Sequence, residues 1–462
     1  MNLMKHQKEG LEFLSGKDSA GLLFEMGLGK TLIMLEHLSN MSLQMKKPFP
    51  CLIVCPLSVV SVWEEEIKKH GYPYTTSKLI GTYQDRLRAL DVKADIYIMN
   101  YDGLRIISEQ LKKKGFSTII LDESHRIKER TSKQTTIALQ LGGLVQYRFL
   151  LTGTPVTKSP VDVWTQMQWL SPGCLGNFYA FRGRYINFRT MTIRAPGGMR
   201  EIKVPYSFKN LKDLEAKMGE VCLRRTKKEC LDLPEKVYKT IHYSLTPEQN
   251  RHYFSLKNSL ATILEDKQYN VEAAIQLMQK LQQICQGFIY GENREVHEFA
   301  DCGKLDMLKD TLEDIRYEKN IVFAWFRQDI SRLHKELCDD GYVVFLYEGD
   351  SEQRAKCVAE FQASTTPCIF LAQIEKAKEG ITLTEASNVL YYGNSLNYAT
   401  RLQSEDRAHR VGQTKTVVYH DFICKNAIDE YVVWLLQNKA EVADKVTGDS
   451  VRFAKMVVGK AA

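Results

Sequence analysis

The chain has 462 residues, 44% of them hydrophobic and 26% charged, with a formal net charge of +7. That length exceeds one ordinary domain and fits two or three, and the charge balance is that of a globular protein. No apolar run approaches the ~18–20 residues a membrane span needs, and the opening MNLMKHQKEGLEFLSG has neither the core nor the cleavage site of a secretory signal. A cytoplasmic protein is expected, or a nuclear one in a nucleated host. The eleven cysteines include no C-x-x-C pair, Cys51 and Cys55 being the nearest neighbours. Free thiols in a reducing compartment are expected, and a structural zinc site is not.

Over residues 1–170, short apolar runs alternate with charged stretches of helical period. The runs are LIVCP (52–56), DIYIMN (95–100), STIILDE (117–123) and RFLLTGTP (148–155), and a stretch such as SVVSVWEEEIKKH lies between two of them. This alternation predicts a parallel sheet covered by helices on both faces. Residues 171–234 break the rhythm and read as an inserted, partly irregular segment followed by a linker. Between Arg182 and Lys212 there are eight basic residues against one acid, Glu201, with Tyr185, Phe188, Tyr206 and Phe208 interleaved. From 235 to 300 a helical insertion is expected. TPEQ (246–249) offers a helix start with Thr246 as cap, Pro247 at the first position and Gln249 closing a capping box, and Ile275, Met278, Leu281 and Ile284 share one face. From 301 to 462 the strand–helix rhythm returns in NIVFAWF, YVVFLYEGD, CIFLAQ, NVLYYG and VVYHDFI, before a terminal helix. The fold class is α/β, with two parallel-sheet lobes and helical insertions between them.

In sheets of this kind, ligands bind beyond the carboxyl ends of the strands. There the first lobe places EMGLGKT (25–31), where Gly27 and Gly29 let the backbone wrap so that its N–H groups point at phosphate. The following helix adds its dipole, Lys30 would reach the β- and γ-phosphates, and the Thr31 hydroxyl would hold Mg²⁺. The usual G-x-x-x-x-G-K-[ST] pattern lacks its first glycine, whose place is taken by Phe24. A Gly-containing helix entry with a surface lysine is the plain alternative. TIILDESHRIK then puts Asp122 and Glu123 at the end of a buried strand. Adjacent buried carboxylates are costly without partners, and they make sense if Asp122 serves the Mg²⁺ shell while Glu123 polarises the attacking water. In QSEDRAHRVGQ (403–413), Arg407 and Arg410 share a helix face. That arrangement suits phosphate recognition, though a solvated charged helix would read the same way.

Taken together, EMGLGKT, DESHRIK, LTGTP and QSEDRAHRVGQ, in this order and spacing, resemble the Swi/Snf-type branch of the superfamily-two helicase-like ATPases. LRRTK (223–227) looks like that family's segment before its inter-lobe linker, and CPLSVVSVWEEEIKK like its second motif. The resemblance covers nearly the whole chain, and compact stand-alone versions are similar to those carried by bacteriophages and prophages. It implies two RecA-like lobes with ATP in the cleft between them, and Mg²⁺ as cofactor. It makes Gln7 the adenine-reading glutamine, and Lys30, Thr31, Asp122 and Glu123 the phosphate, metal and water ligands. Thr152 and Thr154 become the link between hydrolysis and lobe movement, and Gln403, Arg407 and Arg410 the cross-cleft γ-phosphate set. The family does not require the first glycine of the phosphate loop but commonly has an acid there, so Phe24 is a departure. AQIEKAKEGITLT (372–384) departs further: Ala377 and Lys378 replace two glycines and Thr382 replaces an asparagine, while Gly380 and Leu383 match. That motif touches DNA and couples it to ATP.

The resemblance therefore implies sequence-independent DNA binding, to duplex or branched DNA rather than RNA, through phosphate contacts. Candidate contacts are Ser58 in the second motif, Lys376 and Lys378 in the altered one, and Arg182, Arg184 and Arg189 in the basic aromatic stretch. A monomeric DNA translocase that remodels protein–DNA or branched structures is the leading expectation. A strand-separating helicase and a non-translocating ATPase switch are the alternatives.

Overall fold

The computed structural model describes residues 3–153, 155–156, 160–195, 198–265, 271–291, 293, 295–377, 381–395 and 397–442. The chain divides into two compact units, Met1–Asn187 with Ser207–Asp232, and Phe188–Tyr206 with Leu233–Ala462.

The first unit contains β1 (Ser19–Phe24), β2 (Cys51–Cys55), β3 (Thr76–Leu79), β4 (Ile96–Asn100), β5 (Thr118–Asp122) and β6 (Tyr147–Leu151). Strands β7 (Ile186–Ala195) and β8 (Gly198–Phe208), most of whose residues belong to the second unit, pair with each other as a separate two-stranded sheet, and β9 (Cys222–Arg225) completes the main one. The main sheet runs β3-β4-β2-β5-β6-β1-β9 with every neighbour parallel. CLIVC and TIILD are buried at every position, as strands covered on both faces must be. On one face Leu22, Phe24, Ile53, Ile98 and Phe149 pack with Ile33, Met34 and Trp63 from the helices.

Residues 171–234 are more regular than their composition suggests. They form helices Phe178–Tyr185 and Leu211–Val221 as well as the β7–β8 pair and β9. Strand β9 has only four residues, CLRR, of which Cys222 alone is buried. It lies at the sheet edge, where one apolar contact suffices and alternation is too short to read.

The second unit has a six-stranded parallel sheet and a hairpin. Its strands are β10 (Lys236–Tyr243), the hairpin pair β11 (Phe288–Tyr290) and β12 (Val296–Glu298), β13 (Asn320–Ala324), β14 (Val344–Tyr347), β15 (Ile369–Gln373), β16 (Asn388–Tyr391) and β17 (Val417–Cys424). The sheet order is β10-β17-β16-β13-β15-β14. Strand β10 falls where only helix was expected, yet it pairs with β17 from Lys236↔Val417 to Tyr243↔Cys424. As an edge strand with a wet face, KVYKTIHY keeps its polar residues outward. The TPEQ cap forms as expected: Thr246 N donates to Gln249 Oε1 at 3.0 Å and Gln249 N to Thr246 Oγ1 at 3.3 Å. Met278, Leu281 and Ile284 are buried, and the Ile275 side chain lies outside the described residues. All eleven cysteines are free. No helix among the described residues is long and apolar enough to cross a membrane.

Candidate nucleotide site and the arginine helix

Strand order assembles the first-unit site. Strands β5, β6 and β1 are consecutive in the sheet, with Asp122 opposite Leu151 and Leu151 opposite Leu22. The phosphate loop, the carboxylate pair and the LTGTP turn therefore leave the sheet side by side. Thr152 N bonds Leu22 O at 3.1 Å. A Cβ on Gly153 would lie 3.2 Å from both Met26 N and Phe24 O, so this turn packs directly on the phosphate loop.

Gly27 and Gly29 both have positive φ, 84° and 76°, which only glycine adopts without penalty. Helix Lys30–Leu43 begins immediately after them, so its first N–H groups face the loop. Lys30 is buried and donates its Nζ to Phe24 O at 2.8 Å. Gln7 accepts from Met4 N at 2.9 Å, and its Nε2 lies 2.4 Å from where a Gly29 Cβ would be. Gln7 thus rests on the loop itself. Its neighbours His6 and Glu9, with Lys5, Arg224 and Arg225, line a cavity of about 350 Å³. Phe24 ends β1 fully buried, close under Gly10 and 6.3 Å from the His6 ring.

Asp122 and Glu123 are both buried. Asp122 Oδ2 accepts from Trp63 Nε1 at 2.9 Å, its Oδ1 from Glu123 N at 3.0 Å, and its carbonyl from Tyr101 OH at 2.9 Å. Glu123 sits in the left-handed region at φ 54°, ψ 52°, a conformation that costs a non-glycine residue ~1–3 kcal/mol and clusters at functional sites. Its Oε2 meets Thr152 Oγ1 at 3.3 Å and His125 Nδ1 at 3.2 Å. Burial, then the Glu123 charge, push the Asp122 carboxyl up, against Lys30 and the Trp63 bond. Burial also pushes Glu123 up, but the His125 bond, the Lys30 charge and the Thr152 bond outweigh it and hold its carboxyl below the ordinary range. These partners favour the charged form of Glu123. Asp122 is short of positive charge, and with the Thr31 hydroxyl it offers the hard oxygen donors that Mg²⁺ prefers. Trp63, Tyr101 and His125 escaped the sequence reading; only the spacing of His125, two residues after Glu123, hinted at a role.

The LRRTK segment also belongs here. Strand β9 pairs Arg225 with Phe24, Glu25 accepts from Lys227 N at 2.8 Å, and Arg225 bonds Glu9 at 2.9 Å.

Gln403 and Arg407 lie on helix Tyr398–Ala408 of the second unit, but the helix ends two residues before Arg410, as the chain turns toward Gly412 at φ 102°, so the two arginines do not share the expected helix face. Arg407 is buried, donating to Gln403 O at 2.9 Å and Ile381 O at 3.1 Å. Arg410 is half-buried and donates to Thr382 Oγ1 at 2.7 Å. Thr382, the residue that departs from the family pattern, thus holds Arg410. Gln413 Nε2 ties the same segments together through Thr384 O, Ala386 O and Ala408 O. Beneath the helix, Arg401 binds Asp421 twice (2.6 and 2.9 Å), Glu405 (2.9 Å) and Asn394 (2.7 Å).

Thr154, Lys378 and Gly380 lie outside the described residues, and of Arg189 only the backbone, in β7, is described. Ser58 is exposed on the turn Leu57–Val59. Arg182 and Arg130 stack 5.7 and 4.8 Å from the Phe178 ring. Arg184 is paired with Asp213 at 2.7 Å, and Lys376 with Glu348 at 3.4 Å.

A parallel sheet bearing a phosphate loop after β1, a D-E pair after β5 and a threonine turn after β6, followed by a second parallel-sheet unit with its own arginine helix, defines the helicase-type ATPases with two RecA-like lobes. Within that class the chain belongs to the SNF2-related family: the SNF2-related domain matches residues 6–288, and the helicase conserved C-terminal domain matches residues 303–412. It is similar to the uncharacterized ATP-dependent helicase MG018 of Mycoplasma genitalium, 29% identical over 467 residues, covering 98% of this chain and 43% of that protein. An uncharacterized ATP-dependent helicase of Mycoplasma pneumoniae is 28% identical, with 98% and 43% covered. The SWI/SNF-related matrix-associated actin-dependent regulator of chromatin subfamily A-like protein 1 homolog of Caenorhabditis elegans is 27% identical over 463 residues, with 98% and 63% covered. The chain spans less than half the length of the two mycoplasma relatives.

Proposed function

We propose that this chain is an ATP-driven translocase on DNA, hydrolysing ATP with first-unit residues completed by the arginine helix of the second. The observation that carries the reading is the placement of the proposed base: Glu123, buried beside Asp122, is bonded to Thr152 of the LTGTP turn. Glu123 would orient and deprotonate the attacking water. Lys30 would exchange its carbonyl partners for the β- and γ-phosphates, and Gln7 would read the adenine from its seat on Gly29. Thr31 and Asp122 would hold Mg²⁺, which when bound bridges and neutralises the phosphates. Arg410, half-buried and held by the Thr382 hydroxyl, and Arg407 would meet the γ-phosphate. A hydroxyl bond from the turn to the base means that motion of the turn alters the base, which is how hydrolysis would be coupled to lobe movement. Gripping DNA in turn, the two lobes would step along it. The Phe178 surface, where Arg130 and Arg182 flank one aromatic ring, is the favoured accessory contact.

The test is ATP hydrolysis measured without nucleic acid and with single strands, duplex, a four-way junction and RNA, paired with triplex displacement. Duplex stimulation with triplex displacement and no unwinding supports the translocase. Strand separation turns the reading to a helicase, and hydrolysis indifferent to every DNA form overturns it.

A further inference from the structure

Outside the nucleotide site, the second unit gathers three metal-ligating side chains on its surface. Glu248 and His252 are four residues apart on helix Pro247–Glu265, so they share a face. His297 comes from β12 of the hairpin. One potential ligand atom from each of the three lies within 4.8 Å of the other two, and Glu248 Oε1 is 3.8 Å from His297 Nε2. Both imidazoles lean on the buried Phe299 ring, with centroids at 5.5 and 5.3 Å. The hairpin base is fixed, because Arg332 donates to Gly287 O at 3.0 Å and Phe299 O at 3.3 Å.

We propose that Glu248, His252 and His297 form a binding site for a divalent transition-metal ion, Zn²⁺ foremost, that clips the hairpin to the helix. Two imidazole nitrogens and one carboxylate oxygen make a borderline-soft donor set that favours Zn²⁺ or its neighbours over Mg²⁺ and Ca²⁺. Ligands at ~2.0–2.1 Å in tetrahedral array stand roughly 3.3–3.4 Å apart. The present spacing therefore needs only a modest rotation of exposed side chains, and solvent supplies the remaining positions. Cysteine spacing gave no sign of this site because its ligands come from a helix and a hairpin some fifty residues apart, and none is a thiol. It stands independently of the nucleotide site.

The experiment uses the whole chain, freed of metal by chelation, and titrates it with Zn²⁺ against a chromophoric competitor and with Co²⁺ by visible absorption. The wild type should bind one equivalent that His252→Gln or His297→Gln weakens by about 10-fold or more, as even outer-shell losses cost ~10–100-fold. The double variant should lose that equivalent, and Zn²⁺ should raise the melting temperature of the wild type only. Co²⁺ should give d–d bands without thiolate charge transfer. Both histidines are exposed, so the variants should fold, which circular dichroism would check. Equal Zn²⁺ binding by wild type and double variant overturns the proposal, as does a thiolate spectrum that Cys338→Ser, at the exposed cysteine of the second unit, removes.

Discussion

Replacing Arg401 with Met tests how the arginine helix is held. Its guanidinium is buried, bonds Asp421, Glu405 and Asn394, and lies 3.4 Å from the Tyr391 ring centroid. Methionine keeps much of the aliphatic volume and leaves two buried carboxylates without this cation. Breaking a buried pair by removing one partner costs about 3–5 kcal/mol. For a unit of about 250 residues that is a fall of roughly 6–20 °C in melting temperature. The two carboxylates are not equally stranded. Glu405 retains Lys236 at 3.0 Å and Tyr238 OH at 2.8 Å, whereas Asp421 retains the Asn394 amide at 3.0 Å. Adding Asp421→Asn to Arg401→Met should therefore recover more stability than adding Glu405→Gln. Urea unfolding, with hydrogen exchange resolved by unit, measures both effects, and peptides of the first unit should keep their protection. A cost under ~1 kcal/mol for Arg401→Met, against the buried-pair expectation, or a better rescue by Glu405→Gln, would refute the reasoning.

Three further outcomes are expected. Glu123→Gln should bind ATP normally while kcat falls by ~10²–10⁴, the usual worth of a positioned base; unchanged turnover with duplex DNA would mean that the base lies elsewhere. Gly29→Ala places a side chain at φ 76° against the Gln7 amide, costing about 1–2 kcal/mol of backbone strain, so KM for ATP should rise several-fold, read from steady-state kinetics. Burial lowers the pKa of His37 in the first unit and of His420 in the second, each to about 4 from 6.5. Their folded states favour the neutral ring, so this contribution to stability is complete above pH 6.5 and is lost as pH falls from there toward 4. The loss is about 1.4 kcal/mol per pH unit for each histidine. Urea midpoints from pH 7 to 4.5 should show the slope, and His37→Phe should flatten it for the first unit.

Most of the candidate nucleotide site was legible because each part is a local pattern: a glycine turn, a pair of acids, a threonine turn, each closing an apolar run. Sheet order then joined them, since β5, β6 and β1 are neighbours. What sequence could not show is whatever depends on distant partners. Trp63 reaches Asp122 across 59 residues, and Arg401 reaches Asp421 by crossing from helix to strand. Edge strands were lost for a different reason: β9 and β10 need one dry face, so their polar residues imitate a loop or a surface helix. Phe24 shows how the two kinds of information combine. Read as a motif position it is a missing glycine. In the sheet it is the last residue of β1, its ring filling the core beneath Gly10 and its carbonyl receiving Lys30. The backbone proposed to wrap phosphate begins only after it, at Glu25, and the positive-φ positions fall on Gly27 and Gly29. A glycine at 24 would add freedom where the strand needs none and remove a large apolar side chain from the core, so the departure from pattern is what this packing demands.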